Sequence, residues 1–272
     1  MPGILWAALG CAFLAGAAVY LLLPGNADAA LLAPFYGRNI AHRGLHTPDK
    51  AVPENSLPAF RAAVMLGFGV ELDVHITSDG ELVVFHDDTL ARACGVERRI
   101  EDMTWEELRE LRVFGTEHRI PLLSEVLELV AGREPIIVEL KHGPRDRELC
   151  EKAREMLKKT SGVYCIESFD PRIVRWFRRN APEVLRGQLS ARPSELADGA
   201  GRLNAFLIGS LLTNFLSRPH FIAYKIGPRP FTLKLCRSLG APIFSWTSRD
   251  FGNESTSDVI IFEYYLPEAK FK

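Results

Sequence analysis

The sequence predicts an α/β protein whose main domain is a (β/α)8 barrel, and three observations lead to this prediction. Eight short apolar runs, rich in β-branched and aromatic residues, recur along the chain. Amphipathic helical patterns separate these runs, and strands that alternate with helices form parallel sheets. The roughly 235 residues that follow position 37 are a natural length for one such barrel.

The predicted barrel strands are short, as strands buried in a parallel sheet usually are. They cover residues 39–42, 70–74, 136–140, 163–166, 185–189, 221–224, 242–246 and 259–262. An extra strand, 81–86, follows the turn signal Asp79-Gly80 and is expected to pair with 70–74 as a hairpin. In the stretch 190–218, two helical patterns leave room for a hidden or displaced strand.

Capping residues and apolar spacing mark the helices between these strands. The pair Asn55-Ser56 begins a helix that runs to about residue 66. The sequence Thr104-x-x-Glu107 is a capping box that begins another. Further helices are predicted from residue 124, over 146–160 and over 171–180.

Residues 4–23 are uncharged, and as a helix they are about 30 Å long, which matches the hydrocarbon thickness of a bilayer. We therefore predict a single transmembrane helix at 1–24 and a linker at 25–38 before the barrel at 39–272. A cleaved signal peptide is the main alternative, because residues 27–29 resemble a processing site, and the protein would then be secreted. The length of the run and the absence of a preceding Lys or Arg favour a retained anchor.

The charge pattern bears on topology and on partners. The first basic residues lie on the C-terminal side of the apolar run, which favours a barrel on the cytoplasmic side of the membrane. Because one of them, Arg43, belongs to the folded domain, the side of the membrane on which the barrel lies is left open.

The chain has 33 Lys and Arg against 34 Asp and Glu. This balance argues against a nucleic-acid partner bound by a broad basic surface. No segment indicates an obligate protein partner, and the five cysteines lack metal-finger spacing.

Acidic side chains are concentrated on the predicted strands. Strand alternation places Glu71 and Asp73 on one face, and Glu139 shares a face with Lys141. Two carboxylates so close repel each other unless a cation lies between them, and the three together form an all-oxygen site suited to Mg²⁺ or Ca²⁺. The alternative is a structural ion network with Arg43 and Lys141. Inward-facing charge in a barrel is costly without a function, which favours the metal site.

Two histidines follow the same pattern. His42 ends the first strand and His86 ends the hairpin strand, so both are candidates for a general acid and base. Arg43 offers paired N–H groups to phosphate oxygens, and Lys141 offers a compact positive charge. With a divalent ion, this set suits phosphoester chemistry.

Five linked motifs resemble the glycerophosphodiester phosphodiesterase family: HRG at 42–44, PENS at 53–56, ELDV at 71–74, TSDGELVVFHDDTLAR at 77–92 and VELK at 138–141. The resemblance extends over nearly all of 39–268. It implies a TIM-type barrel with a small insertion after the second strand, at about 75–120.

The resemblance also implies residue roles. His42 and His86 match the acid–base pair of the family, Glu71, Asp73 and Glu139 its metal ligands, and Arg43 and Lys141 its phosphate contacts. Glu54 matches a position in the active site of the family. An equal alternative is that Glu54 fixes a loop or caps a helix.

Residues 246–249 read Trp-Thr-Ser-Arg where many relatives have Trp-Thr-Val-Asn. Trp246 is therefore either a substrate wall or a core aromatic residue, and the alcohol side of the pocket is expected to differ. Histidines 46, 75, 118, 142 and 220 match no catalytic position, and all except His75 are expected on loops or exposed.

The predicted function is metal-dependent hydrolysis of a glycerophosphodiester to sn-glycerol 3-phosphate and an alcohol. The sequence leaves two routes open: direct attack by water on phosphorus, or attack by the glycerol 2-hydroxyl to form a cyclic phosphate. A lysophospholipase D or a phosphoinositide-cleaving phospholipase, acting on a lysolipid-like substrate in the membrane, is the enzymatic alternative. The alternative that is not an enzyme is a membrane-tethered barrel that binds a ligand without catalysis.

Overall fold

Eight parallel strands close into a barrel in a computed structural model that describes residues 2–272. The barrel order is β1-β2-β4-β5-β6-β7-β8-β9, and β9 pairs with β1. The strands are β1 (Asn39–His42), β2 (Gly69–Ile76), β3 (Leu82–Val84), β4 (Ile136–Leu140), β5 (Tyr164–Ser168), β6 (Arg186–Ser190), β7 (Phe221–Lys225), β8 (Ile243–Ser248) and β9 (Val259–Phe262). The predicted (β/α)8 barrel is confirmed, and β3 pairs antiparallel with β2 as a hairpin.

Helices surround the barrel. They are α1 (Pro2–Leu22), α2 (Ala29–Leu32), α3 (Leu57–Met65), α4 (Ala91–Cys94), α5 (Trp105–Leu108), α6 (Leu123–Val130), α7 (Asp146–Leu157), α8 (Pro171–Asn180), α9 (Pro193–Ala200), α10 (Arg202–Gly209), α11 (Asn214–Ser217) and α12 (Phe231–Ser238). The stretch 190–218 holds α9, α10 and α11, and beyond Ser190 the structure describes no strand within it. Polar loop residues and a glycine at 201 divide this stretch into short helices rather than one long one.

Side chains on each barrel strand alternate between two apolar environments. Ile40, Ile137 and Cys165 point into the barrel, where they pack with Phe221 and Phe244. Their sequence neighbours face outwards and pack under the helices. Because the alternation has a period of two residues, side chains two positions further along a strand return to the interior at its C-terminal end.

The segment between β2 and α6 forms a small subdomain with its own core. It contains β3, α4, a 3-10 turn (Ile100–Asp102) and α5. Its buried apolar residues contact one another as a separate cluster: Val83, Phe85, Leu90, Ala93, Ile100, Met103, Leu108, Val113 and Ile120. This core fixes the loop that carries His86 at the mouth of the barrel.

The N-terminal segment is attached to the N-terminal end of the barrel, opposite the strand ends described below. Helix α1 includes Gly3–Leu22, a stretch of 20 residues with a mean hydropathy of 2.1, and none of its most apolar window is buried. Its last turn contacts α11 and α12, where Leu22 is buried. The Arg218 guanidinium donates to the carbonyl oxygens of Tyr20 (2.8 Å) and Leu23 (2.7 Å), which satisfies the end of the helix.

The stretch predicted as a linker, 25–38, is packed against the barrel. The Asp28 side chain caps α2, and the Phe35 ring is fully buried inside the barrel with Phe221 and Phe244. The Gly37 amide donates to the Asp258 carbonyl at 2.7 Å. These contacts close the N-terminal end of the barrel.

Replacement of Phe35 by Ala is expected to lower the free energy of unfolding of the full chain by about 3–5 kcal/mol, because it empties a fully enclosed site. Urea unfolding followed by circular dichroism measures this change. The matched control is Tyr36→Ala, since Tyr36 is 52% exposed and its loss is expected to cost about 0.5 kcal/mol or less. Equal losses for the two variants would contradict the role assigned to Phe35.

Candidate active site

The predicted site residues meet at the C-terminal end of the barrel. Six of the nine line a cavity of about 180 Å³, which is enclosed by His42, Arg43, Glu71, His86, Glu139, Glu167, Phe169, Leu189, Trp246 and Ile261. A wider outer cavity of about 500 Å³ continues from it towards solvent and shares His42, Arg43 and Trp246. The inner cavity is small and charged, and the outer one is open.

Three carboxylates lie side by side on β2 and β4. Glu71, Asp73 and Glu139 are buried, and one oxygen of each lies within 4.8 Å of the others. Asp73 and Glu139 are direct neighbours in the strand register. Burial and the charges of the other carboxylates raise the pKa of Glu71 well above its usual value. Such a cluster of oxygens is one that could hold a metal ion.

Two cations contact the same carboxylates. The Lys141 ammonium lies 2.7 Å from Asp73 Oδ1 and 2.7 Å from Glu139 Oε1. The Arg43 Nε lies 3.2 Å from Asp73 Oδ2. Burial by itself would raise the pKa of Asp73, but Lys141 and Arg43 hold it well below its usual value. The Asn55 amide also donates to Asp73 at 2.7 Å, so Asp73 is a fixed carboxylate.

The His42 ring is held from outside the cavity. Its Nδ1 lies 2.9 Å from Glu263 Oε2, and its Nε2 faces the cavity, 3.9 Å from Glu71 Oε2. Burial lowers the pKa of His42 to about 4, against the opposing effect of the hydrogen bond to Glu263. The imidazole is therefore neutral near pH 7. With Nδ1–H donating to Glu263, the lone pair of Nε2 is directed at the cavity.

His86 approaches from the subdomain and has its own acidic partner. Its Nδ1 lies 2.6 Å from Asp87 Oδ1, and Arg92 contacts the other oxygen of Asp87 at 2.6 Å. Both histidines line the inner cavity, although they are 44 positions apart in the sequence. Each thus has one ring nitrogen on a carboxylate, which orients the ring.

Glu54 lies in the outer cavity, where it accepts ion pairs from Arg43 (2.8 Å), Lys50 (2.7 Å) and Arg92 (2.7 Å). The helix that follows is capped by Ser56 rather than by Glu54. The contact with Arg92 ties the loop after β1 to the subdomain, so Glu54 fixes the mouth.

Trp246 separates the two cavities. Its indole N–H donates to the Ala223 carbonyl at 3.2 Å, and its ring meets the Phe169 ring edge-on at 5.7 Å. The side chain is only partly buried and lines both cavities, which makes it a wall rather than a core residue.

Two acidic residues of the site were not predicted. Glu167 on β5 is buried beside Glu139, and burial raises its pKa well above the usual value. Glu263 follows β9. Strand alternation gives the signal for both, because each stands two positions after an inward-facing residue, Cys165 or Ile261. His46 lies on a loop, as expected, and is buried there, 3.5 Å from Glu263.

Comparison with known proteins gives consistent matches. The sequence model of the glycerophosphoryl diester phosphodiesterase family matches residues 42–260. A glycerophosphodiester phosphodiesterase from Caldanaerobacter subterraneus subsp. tengcongensis is 33% identical over 221 residues, which cover 76% of this chain and 84% of that protein. Human lysophospholipase D GDPD1 is 36% identical over 138 residues, 46% of this chain and 42% of that one.

The fold comparison agrees with these matches. A solved structure of a glycerophosphodiester phosphodiesterase from Thermotoga maritima shares 28% sequence identity, with a TM-score of 0.62 over 82% of this chain and 92% of that one. The resemblance carried by the sequence motifs is thereby confirmed.

Proposed function

This chain belongs to the glycerophosphoryl diester phosphodiesterase family, and from that premise we propose that it hydrolyses a glycerophosphodiester to sn-glycerol 3-phosphate and an alcohol. One observation carries the proposal: two oriented imidazoles and two carboxylates line one small cavity, and a third carboxylate and two cations contact this group. Phosphodiester cleavage uses groups that transfer protons and cations that stabilise the charge on the phosphoryl oxygens, and the carboxylates would hold such a cation. Binding without catalysis would not need the histidines to be held by separate carboxylates.

A divalent cation fits the residues present. Glu71, Asp73 and Glu139 would hold it, because one oxygen of each lies within 4.8 Å of the others. Burial, followed by the charges of the neighbouring carboxylates, raises the pKa of Glu71, and a bound cation would favour its ionised form. Carboxylate oxygens are ligands of both Mg²⁺ and Ca²⁺. When bound, the ion supplies positive charge that polarises a phosphoryl oxygen. Arg43 and Lys141 stand beside the cluster and would contact the remaining phosphate oxygens.

The two histidines then divide the proton transfers. His42, neutral near pH 7, accepts the proton of the attacking hydroxyl at Nε2, and His86 donates a proton to the leaving alkoxide. The bond from phosphorus to the attacking oxygen forms as the bond to the leaving oxygen breaks. If the attacking hydroxyl is the glycerol 2-hydroxyl, a second step adds water to the cyclic phosphate with the proton roles reversed.

The test is direct. The full-length protein is incubated with glycerophosphocholine and either Mg²⁺ or Ca²⁺, and glycerol 3-phosphate and choline are measured. We expect equal amounts of both products, and none after the divalent ions are chelated. Product formation that persists with excess chelator would contradict the metal assignment, and no product with any glycerophosphodiester would contradict the function.

A second candidate substrate is a lysophospholipid. The match to human lysophospholipase D GDPD1 and the apolar helix α1 favour it, because a membrane-spanning α1 would hold the barrel near lipid. We propose that α1 is a retained anchor. Its last turn is joined to the barrel through Leu22 and Arg218, contacts that a cleaved segment would lose.

Glu263 acts on His42 as a positioning residue. Glu263→Gln is expected to lower kcat about 10–100-fold with little change in KM, because the ring loses the carboxylate that fixes its tautomer. The carboxylate also raises the pKa of His42, so its removal is expected to move the acidic limb of the kcat profile to lower pH. A pH series of kcat measures both effects. An unshifted acidic limb would contradict the role, and Glu263→Asp should recover part of the loss.

A further inference from the structure

Two stretches of the sequence carry cations and no acidic residue. Residues 199–249 contain seven Lys and Arg and no Asp or Glu, and residues 171–182 contain four Arg and no Asp or Glu. The whole chain, in contrast, has nearly equal numbers of basic and acidic residues. The first stretch contains α10, α11 and α12, and the second contains α8. Basic charge is therefore concentrated on one group of helices, as on surfaces that bind anions.

Three of these helices lie around the end of α1. The Asn214 amide of α11 donates to the Leu22 carbonyl at 3.3 Å, and the Cys236 thiol of α12 donates to the same carbonyl at 3.4 Å. Helix α8 packs beside α11, where the Arg178 guanidinium donates to the Leu216 carbonyl at 3.0 Å. The end of α1 is therefore held between α11 and α12, and α8 lies next to α11.

Four cations of these stretches are called the basic collar: Arg175, Arg178, Arg218 and Lys234. Within the part of the chain that the structure describes, no carboxylate oxygen lies within 4.0 Å of any of them. The guanidinium groups of Arg178 and Arg218 donate to backbone carbonyls instead. Arg175 precedes Arg178 by one turn of α8, so two like charges are neighbours on the helix surface. The protein thus leaves the charge of the collar without an acidic partner.

A buried arginine adds to this positive charge. Arg186 begins β6 and is only 5% exposed, and its Nε has no hydrogen-bond partner among the described residues. Burial, and then the charge of Arg178, lower the pKa of Arg186 to about 10. The amide of His220 donates to the Arg186 carbonyl at 2.7 Å, and burial, followed by the charge of Arg186, lowers the pKa of His220 to about 4. Both shifts indicate a positive electrostatic potential that no neighbouring carboxylate offsets.

The collar lies where a membrane-spanning α1 would meet the bilayer surface. Arg218 contacts the last turn of α1, and its guanidinium lies over the Tyr20 ring, 4.5 Å from the ring centroid. Tyrosine and arginine side chains at the end of a spanning helix are typical of the head-group level of a bilayer. Arg218 is also three positions before β7, at the N-terminal end of the barrel. The collar is therefore separate from the catalytic mouth.

From these observations we propose that the basic collar binds the head-group phosphates of anionic phospholipids in the bilayer that α1 enters. The proposal rests on α1 being a retained anchor and does not depend on the phosphodiesterase activity. Anionic head groups supply the negative charge that the described residues lack around the end of α1. Each Lys or Arg close to an anionic bilayer strengthens binding about fivefold, so the four cations together select anionic over zwitterionic lipid.

The test uses the full-length protein in micelles of a neutral detergent, with a chelator present so that no divalent ion bridges protein and lipid. Phosphatidylglycerol or phosphatidylcholine with the same acyl chains is titrated in, and native mass spectrometry measures the bound lipid. The collar variant is Arg175→Gln with Lys234→Gln, because neither side chain has a hydrogen bond or ion pair in the described chain. The matched control is Arg61→Gln with Arg112→Gln, which removes two exposed cations from α3 and the subdomain.

We expect the unsubstituted protein and the control variant to bind phosphatidylglycerol at least about 10-fold more tightly than phosphatidylcholine. The collar variant should retain a preference of no more than about 3-fold, because it lacks two of the four charges. No preference in the unsubstituted protein, a full preference in the collar variant, or an equal loss in the control variant would each overturn the collar.

Two further results separate the collar from the proposals on which the rest of the protein's function depends. Full-length protein that stays dispersed in water without detergent would overturn the anchor, and the collar with it. Lipid binding is measured without turnover, so failure of the proposed phosphodiesterase activity would produce none of these results.

Discussion

Replacement of His42 by Ala is expected to reduce kcat for glycerophosphodiester hydrolysis about 1,000-fold, with KM changed little. The reason is the orientation of the His42 ring: Glu263 holds Nδ1, and Nε2 faces the carboxylate cluster, 3.9 Å from Glu71 Oε2. Loss of a general base typically costs about 100- to 10,000-fold. Steady-state release of glycerol 3-phosphate measures the effect.

The control for this prediction is His142→Ala. The His142 ring is 53% exposed and lies outside both cavities, although it too contacts a carboxylate, Asp146 at 2.8 Å. Turnover by this variant should remain within 2-fold of the unsubstituted protein. Undiminished turnover by the His42 variant would remove His42 from the mechanism, whereas equal losses in the two variants would indicate a general effect on folding.

Replacement of Glu71 by Gln is expected to weaken divalent-ion binding by more than about 100-fold and to abolish measurable turnover. Changes to residues that only support a metal ligand already cost about 10- to 100-fold in affinity, and Glu71 is a proposed ligand itself. Its oxygen lies within 4.8 Å of ligand oxygens from Asp73 and Glu139. Calorimetric titration with Mg²⁺ and Ca²⁺ measures the affinity.

Glu167→Gln is the matched control for the metal site. Glu167 is equally buried at the neighbouring strand, and burial raises its pKa well above the usual value, but it does not belong to the group of three carboxylates whose oxygens lie within 4.8 Å of one another. Metal affinity is therefore expected to change less than about 3-fold. If both variants lost the ion equally, the ligand set would have to include Glu167. If neither did, the three-carboxylate site would be wrong.

Much of the site could be predicted from the sequence because its residues lie on strands. A side chain that follows an inward-facing residue by two positions is itself inward-facing, and this local rule suffices for Glu71, Asp73 and Glu139. Glu71 and Glu139 line one cavity with His42 and His86, and Asp73 lies in the same carboxylate cluster. Their roles remain proposals that the experiments above test.

The hairpin and the capped helices were also local features. Ser56 caps α3, and Thr104 with Glu107 forms the capping box of α5, as the spacing predicted. The caps depend on hydrogen bonds between residues about three positions apart. The hairpin pairs residues six to ten positions apart, so each of these elements has its partners within one short stretch of sequence.

The sequence by itself determined the strand periodicity, the helix caps and hence which acidic side chains enter the barrel. Only the tertiary structure decided what those side chains meet. Closure of β9 against β1 brings Glu263 to His42 across 221 positions, and the same closure surrounds Phe35 with strands from both halves of the chain. Contacts of this range depend on how the whole barrel closes, and no local pattern encodes which two distant residues become neighbours.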